Sequence, residues 1–178
     1  MKTGFLVALI LSVLLAGAPV CAQVTSDSSA TSASTGTSAR SCDALASLAL
    51  PHAKVTSAQL VAAGAFTPSS GTQRSAAFAQ LPAFCRVAAT LTPSSDSQIQ
   101  MEIWLPAENW NGKFLAVGNG GWAGTISLDA VAAGLRRGYA AASNDTGHSD
   151  AGAQFALNAD RLVDFAYRAM HEMTVQSK

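Results

Sequence analysis

Between residues 81 and 178 the apolar positions change period several times, and each change predicts an element. Gln98-Ile-Gln-Met-Glu-Ile-Trp-Leu105 alternates, placing Ile99, Met101, Ile103 and Leu105 on one face of a half-buried strand. Arg86-Val-Ala-Ala-Thr-Leu91 is a second strand, and Pro93 to Ser97 between the two supplies turn residues, so 86–91 and 98–105 read as an antiparallel hairpin. The alternation then stops. Lys113-Phe-Leu-Ala-Val117 is a continuous run, as in a strand covered on both faces. Leu128, Val131, Ala132 and Leu135 recur at helical spacing over roughly Ser127 to Arg137, with Gly138 as the cap. Tyr139 to Ser143 is another short buried strand, and Asn144 to Gly152 a loop. Leu162, Phe165, Ala166, Ala169, Met170 and Met173 then form one apolar helix face, with Arg161, Asp164, Arg168 and Glu172 outside it. Strand, helix, strand, helix is the order of an α/β fold with a parallel sheet.

The earlier chain is less regular. Lys2, the apolar run Phe5 to Leu15 and the small residues around Val20-Cys21-Ala22 make a three-part secretory signal, cut before Gln23. Lipidation at Cys21 is the competing reading, and bulky Val20 directly before it argues against that. Val24 to Ala39 is almost entirely Ser, Thr, Ala and Gly, a composition that cannot offset its ordering entropy. The expected organisation is therefore a signal peptide over 1–22, a disordered leader over 23–40 and a folded region over 41–178. The expected location is secreted or periplasmic. Cys42 to Leu48 begins a short helix that Pro51 ends, and Val55 to Phe66 is mixed, an extended stretch and a turn.

Composition narrows the function classes. Net charge is zero, charged residues make up 12% of the chain and there is no basic run, so neither nucleic acid nor an anionic membrane surface is an expected partner. No second long apolar run follows the leader, so the mature protein is expected to leave the membrane. The predicted helices end at Lys178 with no further strand, and a parallel sheet needs more than two, so the sequence reads as truncated.

The densest chemistry is Gly118-Asn-Gly-Gly-Trp-Ala-Gly124, four glycines in seven residues between a predicted strand and a helix. Such a loop brings bare backbone N–H groups close to a bound group. It serves the pyrophosphate of a dinucleotide or the oxyanion of an ester under attack; a tight turn alone is the plain alternative. Gly118, Gly120 and Ala123 fit the dinucleotide fingerprint, with Asp145 near the position of a ribose-binding acid. Against that, Thr125-Ile-Ser127 delay the helix, and an exported protein meets little free dinucleotide. A non-catalytic secreted binding module is the third reading. His52, His148 and His171 are the only histidines, and no Gly-x-Ser-x-Gly is present. Ser143, Asp145 and His148 are neighbours in one loop, too close in sequence for a relay; Asp145 and His148 read as loop-shaping hydrogen-bonders, and His171 as solvated. Trp104, Trp110 and Trp122 read as packing, with Trp122 also able to wall a pocket. Once Cys21 leaves with the signal, Cys42 and Cys85 form either one disulfide or two buried thiols. Nothing in the histidine or cysteine spacing fits zinc.

Trp110-Asn-Gly-Lys-Phe-Leu-Ala-Val-Gly-Asn-Gly-Gly-Trp-Ala-Gly124 resembles a signature of the tannase and feruloyl esterase family. Phe84-Cys-Arg-Val87, Arg137-Gly-Tyr139, Asp145-Thr-Gly-His148 and Asp164 to Thr174 are similar to that family too, so the resemblance runs from about Ser41 to Lys178. It implies the N-terminal part of an α/β-hydrolase fold, ending before the nucleophile elbow. It implies a serine, aspartate and histidine triad and a lid domain that often binds calcium, none of which matches a residue of this chain. It implies that Gly121 supplies an oxyanion-hole N–H and that Cys42 and Cys85 are a disulfide pair. The implied substrate is a small phenolic ester, hydrolysed by an enzyme of which these residues alone are inactive and need no cofactor.

Overall fold

The computed structural model describes residues 41–68, 76–149 and 152–178. The expected signal peptide and leader lie outside them. Six strands form one mixed sheet: β1 (Ala49–Leu50), β2 (Ala53–Val61), β3 (Phe84–Leu91), β4 (Ile99–Pro106), β5 (Phe114–Val117) and β6 (Ala140–Asn144). Their spatial order is β1-β2-β3-β4-β6-β5. The expected hairpin is there, with Arg86 opposite Trp104 and Leu91 opposite Ile99. β6 runs antiparallel to β4 and parallel to β5, which reaches it through helix α2 (Leu128–Arg136).

Each face of the sheet has its own core. On one, Val87, Ala89, Leu91, Met101 and Ile103 pack with Ala169 and Met173 of a C-terminal helix. On the other, Phe84, Trp104 and Ala141 meet Val131, Ala132 and Leu135 of α2, together with Phe66 and with Phe78 of the one-turn helix α1 (Ala76–Ala79). The small side chains of Ala140, Ala141 and Ala142 let layers close on both sides of β6, every residue of which is buried. The fold is thus an α/β arrangement, as expected. Cys42, just before a 3-10 turn over Asp43–Ser47, is disulfide-bonded to Cys85 of β3, fastening the start of the described chain to the sheet.

Four sequence expectations need correction. The stretch after Val55 is no mixed segment: β2 is a nine-residue strand, paired with β3 through a register shift between Val55 and Ser57. β4 is not half-buried, because its second face also carries buried groups. Trp104 is 0% exposed and Glu102 7%, and Glu102 is satisfied by a two-pronged contact from Arg86 and by the Trp104 indole N–H at 2.8 Å. Alternation with a charged residue conceals a covered face when that charge is paired. β5 is an edge strand bonded only to β6, and all four of its residues are half-buried rather than covered.

The fourth correction concerns the last helix. α3 (Ala159–Val163) passes into a π-helical turn over Asp164–Arg168 before α4 (Ala169–Gln176). A π turn inserts a residue into the helical period and rotates the next turn relative to the last. Asp164, expected outside, is 0% exposed, whereas Leu162 and Ala166, expected inside, are exposed. The buried carboxylate accepts from Arg168 Nε at 2.5 Å and from Ser97 Oγ at 2.9 Å, tying the π turn to the tip of the β3–β4 hairpin.

Candidate active site

The glycine loop follows β5 and the Asp145–His148 loop follows β6. Both emerge at the carboxyl ends of the two parallel strands, where open α/β sheets bind their ligands. The first loop folds into a tight turn, closed by the Ala123 N–H donating to the Gly120 carbonyl at 3.2 Å. Gly121 occupies its second position with φ +58°, while Trp122 keeps a negative φ, the sign pattern of a type II′ turn. A side chain at Gly121 would meet nothing within 4 Å, but that φ is costly for any residue with a Cβ. Gly121 is exposed, and among the described residues no group accepts from its N–H.

The loop is anchored at both ends. Near its start, Asn119 Nδ2 donates to the Asn144 carbonyl at 3.0 Å and Asn119 Oδ1 accepts from Ser127 Oγ at 3.2 Å. Towards its end, Gly124 presses on His148, whose Nε2 lies 3.0 Å from the Trp122 carbonyl. Ser143 is fully buried, and its Oγ accepts from the Ser127 N–H at 3.1 Å, just before α2. It serves the helix entry and is no exposed nucleophile.

The Asp145–His148 loop is rigid for different reasons. Asp145 Oδ1 accepts from the N–H groups of Gln100 and Gly147, both at 2.9 Å, prolonging the β4–β6 pairing past its end. Burial pushes the Asp145 carboxyl up to about 6, outweighing the opposite pull of those two N–H groups and of His148. Thr146 sits at φ +57°, its N–H held by Asn144 Oδ1 at 2.9 Å. Thr146 Oγ1 lies 3.1 Å from His148 Nδ1, and the imidazole stacks on Phe155 with ring centroids 4.1 Å apart. Asp145 and His148 therefore shape their loop, as the sequence led us to expect. Asp145 points its acceptor into the sheet rather than towards a ribose, and α2 starts well past the glycines; neither feature suits a dinucleotide.

Of the three tryptophans, only Trp104 is core. Trp110 and Trp122 are 59% and 53% exposed, against the packing role expected of them. Trp122 lies next to Gly121 and stacks on Phe165 at 5.4 Å, with Phe155 behind at 5.9 Å. Phe165 belongs to the π turn, so that irregularity also supports the Trp122 ring. This aromatic wall escaped sequence reading because Phe155 lies in a 3-10 turn (Ala153–Leu157) that no apolar period announced. Among the described residues, no cluster of three or more His, Cys, Asp or Glu side chains could hold a metal ion. No helix among them is long and apolar enough to cross a membrane.

Comparison with known proteins gives the family and the fold. The family model described as tannase and feruloyl esterase matches residues 85–178, more than half of the chain. An uncharacterized esterase from Xanthomonas campestris pv. campestris is 41% identical over 139 residues, which cover 76% of this chain and 23% of that protein. Feruloyl esterase C of Talaromyces stipitatus is 36% identical over 145 residues, 77% of this chain and 27% of its own. The crystal structure of feruloyl esterase B from Aspergillus oryzae superposes with a TM-score of 0.67 at 38% identity, over 77% of this chain and 27% of that one. The chain thus spans about a quarter of the length of these relatives. On the matched family and the shared fold, the chain belongs to the tannase and feruloyl esterase family.

Proposed function

We propose that this chain is the oxyanion-loop portion of a secreted serine esterase that hydrolyses esters of phenolic acids such as ferulic or gallic acid. The observation that carries the reading is Gly121: an exposed residue at positive φ, its N–H without an acceptor among the described residues, in a loop anchored on both sides at the carboxyl ends of β5 and β6. Attack of a serine oxygen on the ester carbonyl forms a carbon–oxygen bond and moves the carbonyl electron pair onto oxygen. A fixed N–H at that oxygen stabilises the tetrahedral state more than the ground state. The half-exposed Trp122 ring beside it offers an apolar wall to an aromatic acyl group.

The rest of the reaction needs groups that the described residues do not assemble. Ser143 is buried and engaged by Ser127, and His148 is engaged by Trp122, so Ser143, Asp145 and His148 do not form a relay. The triad, and any calcium-binding lid, belong on this reading to sequence beyond these residues in the gene. Export, with cleavage before Gln23, is part of the same reading.

The test is expression of the open reading frame that contains these residues, followed by assay on methyl ferulate and methyl gallate. Turnover abolished by a serine-directed fluorophosphonate, with none from residues 1–178 alone, supports the reading. A complete reading frame that hydrolyses neither of these phenolic-acid esters refutes it. Sequencing the mature N-terminus tests export: Gln23 is expected first, and an intact Met1 or a lipidated Cys21 contradicts it.

A further inference from the structure

We infer that His148 is a positioning residue for the oxyanion loop, aiming the Gly121 N–H through two hydrogen-bonded peptide groups. The inference rests on the esterase reading for its catalytic consequence, but its structural content stands apart. A carbonyl oxygen only accepts, so the 3.0 Å contact with the Trp122 carbonyl requires that His148 Nε2 carry a proton and donate it. The carbonyl of Trp122 and the N–H of Ala123 belong to one planar trans peptide and point in opposite directions. That N–H donates to the Gly120 carbonyl at 3.2 Å. The carbonyl of Gly120 and the N–H of Gly121 share a second peptide plane, reached through that hydrogen bond, and again point in opposite directions. His148 therefore fixes the first plane, the turn hydrogen bond fixes the second from the first, and the Gly121 N–H is left pointing away from the turn. Hydrogen bonds in such a series also polarise one another, strengthening the terminal donor.

The surroundings of the imidazole fit an aiming role. His148 is 5% exposed, stacked on Phe155 and braced at Nδ1 by Thr146, so its Nε2 direction is set by neighbours outside the glycine loop. Gly124 adds a steric stop. A Cβ there would lie 2.7 Å from His148 Cδ2, so the absence of a side chain lets the two loops touch.

Two variants separate aiming from filling. His148→Phe keeps an aromatic ring against Phe155 and deletes the donor, whereas His148→Gln returns an amide N–H near the Nε2 position. Trp122-Ala123 is the only Trp-Ala pair in the sequence, so carbonyl-13C tryptophan with 15N alanine gives one diagnostic cross-peak. In residues 1–178 that carbonyl resonance should move in the Phe variant and return towards wild type in the Gln variant. An unmoved resonance in a folded Phe variant overturns the inference.

In the complete reading frame, kcat on methyl ferulate should fall on the order of 10-fold in His148→Phe, less than the ~10²–10³ of losing a donor outright, with KM within about twofold. The Gln variant should recover much of the loss. Equal losses in both variants, or a rise in KM without a fall in kcat, mean that the residue only fills space. If the wild type hydrolyses no ester, the esterase reading fails, while the carbonyl resonance still decides whether His148 holds Trp122.

Discussion

Gly124 and His148 touch through backbone: a methyl group built on Gly124 would lie 2.3 Å from the His148 carbonyl oxygen. Real Cβ atoms do not approach backbone that closely, and no rotamer relieves the clash because both partners are main chain. The glycine loop and the loop after β6 are therefore seated directly on one another. Gly124→Ala should push them apart and destabilise the fold by about 1–3 kcal/mol, the usual range for overpacking. Urea denaturation of the variant measures this; a loss within experimental error of zero contradicts the seating.

The Cys42–Cys85 disulfide closes a loop of sequence separation 43. In the chain-entropy model, closure on that scale contributes roughly 4 kcal/mol by restricting the unfolded chain. Replacing both cysteines with alanine should lower unfolding stability by about that amount, part of it from the cavity left at buried Cys85. Denaturation with and without reductant checks it: wild type should respond to reductant and the double variant should not.

Asp145 makes stability depend on pH in the direction opposite to most paired carboxylates. Its pKa rises from an ordinary 3.8 to about 6 on folding, with burial the largest cause. The native state then binds its proton more tightly, so protonation favours folding. This contribution is complete below about pH 4 and is lost as pH rises through about 6. Asp145→Asn keeps an oxygen acceptor for the Gln100 and Gly147 N–H groups and removes the charge. Denaturation midpoints from pH 4 to 7 should show the variant gaining on wild type as pH rises. A constant difference across that range rules out this titration.

The sequence disclosed what depends on short-range period. The β3–β4 hairpin, the α2 stripe of Val131, Ala132 and Leu135, and the run Ala140 to Ser143 were all readable, because each is an apolar pattern of one element. The oxyanion-loop candidate was equally visible, as glycine density between a strand and a helix. What could not be read depends on partners distant in the chain. Glu102 looks like a solvated position until Arg86 is placed opposite its neighbour Trp104. Asp164 looks exposed until the π turn rotates it under Gly147, towards Ser97. The His148–Trp122 hydrogen bond joins residues 26 apart through two loops of irregular backbone, and no periodicity encodes such a contact.

The central claim is that the Gly121 N–H stabilises a developing oxyanion. Gly121→Pro deletes that N–H, but a φ of +58° is closed to the proline ring, and Gly121→Ala, which keeps the N–H, is also strained there. The direct measurement replaces Gly121 with glycolic acid in the complete enzyme, exchanging one backbone N–H for an ester oxygen and leaving φ free. Steady-state kinetics on methyl ferulate, with circular dichroism to confirm folding, then read the loss of the donor together with the weaker acceptor that the Gly120 ester carbonyl offers the Ala123 N–H. The account predicts kcat lower by on the order of 10²–10³, about 3–4 kcal/mol, with KM nearly unchanged. A folded ester variant with wild-type kcat would remove Gly121 from the mechanism.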